Sequence, residues 1–187
     1  MPEDWWVENG LVFLWVGVLI ATYKRLPFSQ LSYLLMLVYL SMHEWGAHYR
    51  YAVDPLGEWL RQIFHTTRND FDRITHFSFG LLMSYPQREV LLRKAGMRRG
   101  WATWTSLAMI SGYSAVYEII EAVAAWTLSK DAGDAFLALQ GDPWDTQKDM
   151  LMAVIGSVVA CGITAMFARR QAVREVVRTE VTTVAAR

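Results

Sequence analysis

Residues 150–168 read MLMAVIGSVVACGITAMFA, a run of apolar and small residues without a single charge. A helix needs about 20 mostly apolar residues to cross the hydrocarbon core of a bilayer, so this run predicts a transmembrane helix. Four further apolar blocks precede it in the 187-residue chain, at about residues 6–23, 31–49, 71–91 and 101–128. The predicted fold class is an all-α, polytopic membrane bundle of about five transmembrane helices.

The five apolar blocks differ in how clearly they predict a span. The first and the last contain few polar residues, whereas the middle three contain His, Glu, Asp and Arg. Six spans, or four spans with a re-entrant segment, stay open at this point. The first block follows the acidic segment Met-Pro-Glu-Asp and shows no small-residue cleavage pattern, which predicts a retained helix rather than a signal peptide.

Charge is sorted along the chain, although its formal net charge is zero. The first loop, the third loop and the C-terminal segment contain 12 of the 18 basic residues and only three of the 18 acidic residues. Because loops rich in Lys and Arg stay in the cytoplasm, the N-terminus is predicted outside and the C-terminus inside. Residues 1–168 would form a single transmembrane bundle. Residues 169–187 would form a basic cytoplasmic tail, bound to anionic lipid or free in solvent.

On this topology, the ionisable residues of four helices fall at one depth, toward the outer leaflet. Residues three or four apart share one face of a helix. The pairs with this spacing are Glu44/His48, Asp72/His76, Glu118/Glu121 and Asp145/Asp149. Four helices that each offer two such side chains resemble the carboxylate-bridged metal sites of helical bundles. Ionisable groups at membrane depth are costly unless they are paired or metal-bound, so the pattern indicates a functional site.

The pattern predicts a divalent metal, Zn, Mn or Fe, because imidazoles accompany the carboxylates. The candidate metal ligands are His43, His48, Asp72, His76, Glu118, Glu121, Asp142, Asp145 and Asp149, and the candidate catalytic acid/base residues are Glu44, Glu118 and Glu121. His43 and His48 lie about 140° apart on a regular helix, so only one of them is expected to share a metal with Glu44. Asp70 and Asp142 could instead cap helices, and Arg73 could simply neutralise a carboxylate.

Such a pocket would suit a metal-dependent enzyme that acts on a lipid or amphiphile entering from the outer leaflet. The chain has no Gly-rich phosphate loop, no Gly-x-Ser-x-Gly motif and no second cysteine, and we expect neither a nucleotide nor a nucleic acid as partner. Two other classes stay open: an ion or proton transporter, and a structural or sensory membrane partner with a structural polar site. The inner halves of the helices are nearly free of ionisable groups, which favours a one-sided pocket over a through-pathway.

Five stretches of the chain carry a resemblance to a known family. They are residues 48–52 (HYRYA), 55–57 (PLG), 69–77 (NDFDRITHF), 117–121 (YEIIE) and 140–150 (QGDPWDTQKDM). Over about residues 31–168 the chain thereby resembles the YjdF-like (DUF2238) family of bacterial inner-membrane proteins. The resemblance implies a small multi-pass protein of the bacterial inner membrane and supports the choice of site residues. It implies no particular reaction.

Overall fold

The computed structural model describes the backbone of residues 2–127 and 140–185, and the side chains of residues 9–10, 12–127 and 140–170. Within these ranges the chain is helical and contains no strand. The α-helices are α1 (Pro2–Thr22), α2 (Gln30–Tyr49), α3 (Pro55–Phe64), α4 (Phe71–Arg93), α5 (Arg99–Thr127) and α6 (Asp145–Ala185), and a short 3₁₀ turn (Tyr51–Val53) links α2 to α3. The predicted all-α fold class is confirmed for this part of the chain.

Two of these helices are long and apolar enough to cross a membrane, judged by length and composition over the described residues. They are α5, with 29 residues and a mean hydropathy of 1.3, and the part of α6 from Asp145 to Arg170, with 26 residues and a mean hydropathy of 2.2. A shorter apolar helical stretch, Val12–Thr22, lies in α1. The helices α2 and α4 contain His, Glu, Asp and Arg, which lower their hydropathy.

The distribution of polar and apolar side chains is inverted relative to a water-soluble bundle. The serines Ser32, Ser106, Ser114 and Ser157 are at most 1% exposed. Large apolar side chains cover the outside instead, among them Leu14, Leu34, Leu37, Val116, Ile119, Val158 and Phe167. A surface of this kind is unfavourable in water and favourable against acyl chains, which agrees with a helical membrane protein.

The centre of the bundle is α4, which packs against α2, α5 and α6 and most extensively against α6. The helix α5 also packs on α6, whereas α1 packs mainly on α2. The core joins four helices through Met36 of α2, Met83 of α4, Ile110 of α5 and Ala153 of α6. Any residue on α4 that faces inward therefore lies close to at least one of these neighbours.

Two glycines allow α4 and α6 to approach closely. A Cβ atom on Gly80 would overlap the carbonyl oxygen of Ala153, and one on Gly156 would overlap the carbonyl oxygen of Phe77. Small residues at helix crossings are a general device of membrane bundles, since lipid gives helices little hydrophobic reason to associate. Close backbone contact supplies the dispersion energy instead.

Serine hydroxyls join the same helices at mid-depth. Ser84 donates a hydrogen bond to the carbonyl oxygen of Gly80 at 2.6 Å, and its Oγ lies 2.7 Å from Oγ of Ser157 on α6. Ser106 of α5 donates to the carbonyl oxygen of Ser84 at 3.1 Å. These buried hydroxyls therefore satisfy one another and the backbone, as burial away from water requires.

A carboxylate ties the α1–α2 loop to the far end of α4. The side chain of Glu89 accepts hydrogen bonds from the backbone N–H of Ser29 at 3.0 Å and from the Ser29 hydroxyl at 2.9 Å, and it also accepts one from the Ser32 hydroxyl. Ser29 is the N-cap of α2. Arg93 pairs with Glu89 and donates to the carbonyl oxygen of Pro27 at 2.8 Å. This end of the bundle is thus closed by capping and charge together.

The helix boundaries differ from the predicted ones in three places. The helix α6 begins at Asp145 rather than near residue 150, because its polar first turn packs at the site described below and its acidic residue suits a helix N-terminus. It then continues without a break past residue 168, since no Pro or Gly follows to stop it. The helix α3 was not predicted. Residue 128, the predicted end of α5, lies outside the described residues.

The close approach of α4 and α6 gives a direct test. We expect Gly80→Ala to lower the melting temperature of the detergent-solubilised protein by about 5 °C, because the added methyl group overlaps the α6 backbone. Gly112→Ala is the matched control, since a Cβ atom there meets nothing within 4 Å and Ala is the better helix former. Thermal unfolding, followed by circular dichroism, should show a melting temperature for the control that is unchanged or slightly raised. Equal effects of the two substitutions would contradict the packing described.

Candidate functional site

Loop residues at one end of the bundle fix the start of α4. The side-chain oxygen of Asn69 accepts a hydrogen bond from the Phe71 N–H at 3.1 Å, and its amide donates to the carbonyl oxygen of Asp54 at 2.9 Å. The Asn69 backbone pairs with the Gln140 side chain at 3.0 and 2.9 Å. Asn69 therefore holds together the end of the α3–α4 loop, the start of α4 and the segment before α6.

Asn69, and not Asp70, supplies the side-chain cap of α4. Asp70 occupies the N-cap position without a capping hydrogen bond from its side chain, which lies 3.1 Å from Arg73. Asp142 is likewise not the cap of α6, because the helix begins three residues later. Its Oδ1 accepts from the Trp144 N–H at 3.1 Å and closes the turn that precedes the helix. Both aspartates serve the charge network more than the helix ends.

Two arginines neutralise part of the acidic end of the bundle. Arg68, whose side chain is 8% exposed, forms a buried ion pair with Asp145. Arg73 lies 2.6 Å from Asp142 and 3.1 Å from Asp145, so it neutralises carboxylates as the sequence indicated. Hydrogen bonds from the Lys148 ammonium, the Trp144 N–H and Arg73 lower the pKa of Asp142, which lies in the loop before α6, to about 2.

Asp145 also belongs to a second group of side chains, whose other members are less well neutralised. His76 Nε2 of α4 lies 3.3 Å from Glu118 Oε1 of α5 and 3.6 Å from Asp72 Oδ1. Asp72, Asp145 and Asp149 each offer a carboxylate oxygen within 4.8 Å of the others. We call these five residues the carboxylate–histidine cluster: Asp72, His76, Glu118, Asp145 and Asp149. Three helices, α4, α5 and α6, supply it.

Two buried oxygens of the cluster have no hydrogen-bond partner among the described residues. They are Glu118 Oε1 and Asp149 Oδ1, on side chains that are 6% and 3% exposed. Asp149 Oδ1 lies 3.9 Å from Arg73 Nε, which is beyond hydrogen-bond distance. Among the described residues around the cluster, carboxylates outnumber permanent cations two to one. The carboxylates are Asp70, Asp72, Glu118, Asp142, Asp145 and Asp149, and the cations are Arg68, Arg73 and Lys148. A buried excess of negative charge of this kind favours the binding of a cation.

A cavity of about 550 Å³ lies beside the cluster, between α1, α2, α4 and α5. Its walls are mostly apolar, and Asp72 and His76 reach it from the cluster. His43 and Tyr51 also line it, with the Tyr51 hydroxyl 2.7 Å from His43 Nδ1. The ring of Tyr117 contacts both histidine rings, with centroid distances of 6.3 Å to His43 and 5.9 Å to His76. We call this space the lateral cavity.

The structure brings together some of the predicted site residues and separates others. Asp72, His76, Glu118, Asp145 and Asp149 form the cluster, and Asp142 joins it through Arg73. His43 lines the lateral cavity and bonds to Tyr51 instead. His48 is exposed, with its ring against Tyr49 at 4.7 Å. Glu44 and Glu121 are half-buried and do not line the cavity.

Residues that the sequence did not single out also build the site. Arg68 lies in a loop and follows no helical spacing, so periodicity could not have found it. Tyr51 lies beyond the end of α2, and only its place in the HYRYA stretch drew attention to it. A Cβ atom on Gly46 would overlap the Tyr51 ring, so this glycine makes room for the tyrosine.

Comparison with known proteins identifies the family. A family model described as "Predicted membrane protein (DUF2238)" matches residues 1–170. The chain belongs to this family. The DUF2238 match covers all residues of the cluster and extends the predicted resemblance to the first helix.

One relative of this DUF2238 protein is the inner membrane protein YjdF of Escherichia coli (strain K12). The two are 34% identical over 168 residues, which cover 89% of this chain and 80% of YjdF. No solved structure is a significant match. The family description and the relative's name confirm that this DUF2238 protein is a membrane protein of the bacterial inner membrane.

The uneven neutralisation of the cluster predicts opposite effects of two similar substitutions. Asp149→Asn removes a buried charge whose ion-pair partner Arg73 lies 3.9 Å away, beyond hydrogen-bond distance, and we expect the metal-free protein to melt a few degrees higher. Asp145→Asn, one turn away on α6, removes the partner of the buried Arg68 and of the half-buried Arg73, and should lower the melting temperature on the order of 10 °C. Thermal unfolding in detergent with a chelator measures both. A loss of stability in Asp149→Asn as large as that in Asp145→Asn would contradict this charge distribution.

Proposed function

We propose that this protein binds a divalent transition metal in the carboxylate–histidine cluster and acts on a lipid or other amphiphile as a membrane metalloenzyme. The observation that carries the proposal is a pair of buried oxygens, Glu118 Oε1 and Asp149 Oδ1, that accept no hydrogen bond from the described residues. Burial of such groups costs several kcal/mol each unless a cation or a donor meets them. A cation near Asp149 would have oxygens of Asp72 and Asp145 within reach, because the three carboxylates each offer an oxygen within 4.8 Å of the others.

The chemistry of the donors supports Zn, Mn or Fe. His76 would contribute an imidazole nitrogen, while Asp72, Glu118 and Asp149 would contribute oxygens. Asp145 already pairs with two arginines. It would therefore have a structural role in the site as well as a role in binding the ion. A set rich in carboxylates with one imidazole favours Mn or Fe over Zn, because zinc sites are richer in His and Cys.

A bound divalent metal would polarise an ester, carbonyl or phosphoryl oxygen of the amphiphile. The protein's own residues would orient the substrate and move the proton. Glu118 Oε1 lies 3.3 Å from His76 Nε2, so a carboxylate base stands next to an imidazole that lines the cavity. The hydroxyl of Tyr51, which lies 2.7 Å from His43 Nδ1 and donates to the His43 carbonyl oxygen at 3.3 Å, lines the same cavity, and its oxygen would accept a hydrogen bond from a substrate hydroxyl. Glu44 and Glu121 do not line this cavity.

Metal content of the purified protein tests the proposal. We expect about one Mn, Fe or Zn per chain, measured by elemental analysis after dialysis against metal-free buffer. Glu118→Gln and His76→Ala should each lower the metal content at least tenfold, as the loss of a ligand does. His65→Asn is the control, since His65 is exposed and Asn tolerates its left-handed backbone conformation.

The outcomes of the metal measurement separate the roles. Absence of stoichiometric metal from the folded protein would overturn the metalloenzyme proposal. Metal retained in Glu118→Gln would assign Glu118 to proton transfer rather than ligation. A tightly held metal without activity on any amphiphile would favour a structural or sensory role for the site.

We further infer that the chain spans the membrane five times, with its N-terminus outside and its C-terminus in the cytoplasm. The five helices are α1, α2, α4, α5 and α6. The basic residues near the Glu89 end of α4 support a cytoplasmic position for that end, and the cluster then lies at the outer end. The 41 residues of α6 extend about 60 Å, twice the hydrocarbon thickness, so its second half would project into the cytoplasm.

The short helix α3 would lie flat at the outer interface. It joins the end of α2 to the start of α4, which pack side by side, and its ten residues are too few to cross a bilayer. Leu56, Trp59 and Ile63 form an exposed apolar stripe along one side. Glu58 and Arg61 pair on another side at 2.7 Å. Amphipathic helices with Trp and Leu on one face bind at the lipid–water boundary.

Cysteine labelling tests this topology in the full chain. In a Cys161→Ala background, Gln62→Cys on the polar side of α3 should react with a membrane-impermeant maleimide added to intact cells. Ala95→Cys, exposed in the loop between α4 and α5, should react only after lysis. Ile63→Cys, next to position 62 but on the apolar stripe, should stay protected by lipid. Labelling of position 95 and not 62 in intact cells would reverse the orientation.

A further inference from the structure

The lateral cavity lies between α1 and α5, which pack mainly against other helices of the bundle. One wall comes from α1, through Val12, Leu14, Trp15 and Val18, and the opposite wall from α5, through Tyr113, Val116, Tyr117 and Ile120. The helix α1 packs mainly on α2, and α5 packs on α4 and α6. The space between the two walls is therefore a gap in the ring of helices.

The gap opens on the side of the bundle, between α1 and α5. Its wall residues Leu14, Val18 and Val116 are 64%, 50% and 53% exposed, although they also line the cavity. Exposed apolar side chains continue from these residues along α1 and α5. In a membrane-spanning bundle such a surface faces acyl chains, so the cavity opens sideways into lipid.

The end of the cavity that lies deepest in the bundle, near His43, is lined by hydroxyl and imidazole groups. The Tyr51 hydroxyl lies 2.7 Å from His43 Nδ1, and Ser114 Oγ lies 3.5 Å from His76 Nδ1. Asp72 and the rest of the cluster make the local field negative. An anionic headgroup would be repelled there, whereas a headgroup hydroxyl could donate a hydrogen bond to the Tyr51 oxygen.

We propose that the lateral cavity binds the apolar chain of a single-chain amphiphile with an uncharged, oxygen-bearing headgroup, which enters sideways from the bilayer between α1 and α5. Its volume of about 550 Å³ is typical of sites for one small ligand. The polar end holds the headgroup at Tyr51, next to the carboxylate–histidine cluster. The proposal that the cavity binds the apolar chain of the amphiphile is argued from the cavity alone. The proposal that this amphiphile is a substrate rests on the proposed metalloenzyme function.

Equilibrium binding of a tritiated long-chain monoacylglycerol to the detergent-solubilised protein tests the proposal. We expect saturable binding at about one site per chain. Val116→Trp fills the gap from the α5 side and should weaken binding at least tenfold. Val123→Trp is the matched control, because Val123 lies two turns along the same helix with 52% exposure and does not line the cavity. Val12→Trp fills the gap from the α1 side and repeats the test should Val116→Trp fold poorly.

A substitution at Tyr51 and a competing ligand test the proposed headgroup. Tyr51→Phe should weaken binding of the monoacylglycerol by up to about tenfold, the worth of one hydrogen bond in a buried site. The corresponding fatty acid, which is anionic at neutral pH, should compete poorly. Equal competition by the fatty acid would overturn the uncharged headgroup, and non-saturable binding that is the same in all variants would overturn the site itself.

Repeating the measurement with Asp149→Asn and a chelator separates this inference from the proposed function. Saturable binding of the monoacylglycerol that persists without metal supports the cavity as a lipid-binding site. Stoichiometric metal in a protein that binds no monoacylglycerol would leave the metal centre standing and overturn the lateral cavity as its substrate site. Each result decides one proposal without deciding the other.

Discussion

Close packing between α4 and α6 is the constraint on which the site depends. Gly80 and Gly156 remove the two side chains that would separate the helices, and the backbones meet there. Asp72 lies eight residues before Gly80 on α4, and Asp149 lies seven residues before Gly156 on α6. Each offers a carboxylate oxygen within 4.8 Å of the other. Helices held apart by larger residues would leave these carboxylates solvated or facing lipid. The cluster is thus a consequence of a small-residue contact two turns deeper in the bundle.

Charge is distributed unevenly around that contact. The arginines Arg68 and Arg73 come from one loop and one helix, and both reach Asp145, so this carboxylate is well neutralised. Glu118 and Asp149 are buried at the same level and retain an oxygen without a donor among the described residues. A folded protein rarely keeps buried polar groups unsatisfied unless they serve a ligand or a reaction. The arrangement places well-neutralised Asp145 within a few ångströms of carboxylates that have fewer charge partners.

The sequence located the cluster only in part, and particular residues show why. Helical spacing correctly paired Asp72 with His76 and Asp145 with Asp149, because residues one turn apart share a face in any helix. The same spacing paired Glu44 with His48 and Glu118 with Glu121, although His48 is exposed and Glu121 does not line the cavity. Spacing fixes which residues share a face but not which neighbour that face meets. Arg68 and Tyr51 lie outside regular helical patterns and so escaped it.

From its sequence alone, this protein was determined to be all-helical, membrane-embedded and acidic at one end, because apolar run length and local helix geometry are properties of contiguous residues. The tertiary structure decided which of the acidic and imidazole side chains meet, that Asn69 rather than Asp70 caps α4, and that a gap opens between α1 and α5. These features depend on how the helices rotate and cross. Helix rotation and crossing are set by contacts such as Gly80 against Ala153, between residues distant in the chain.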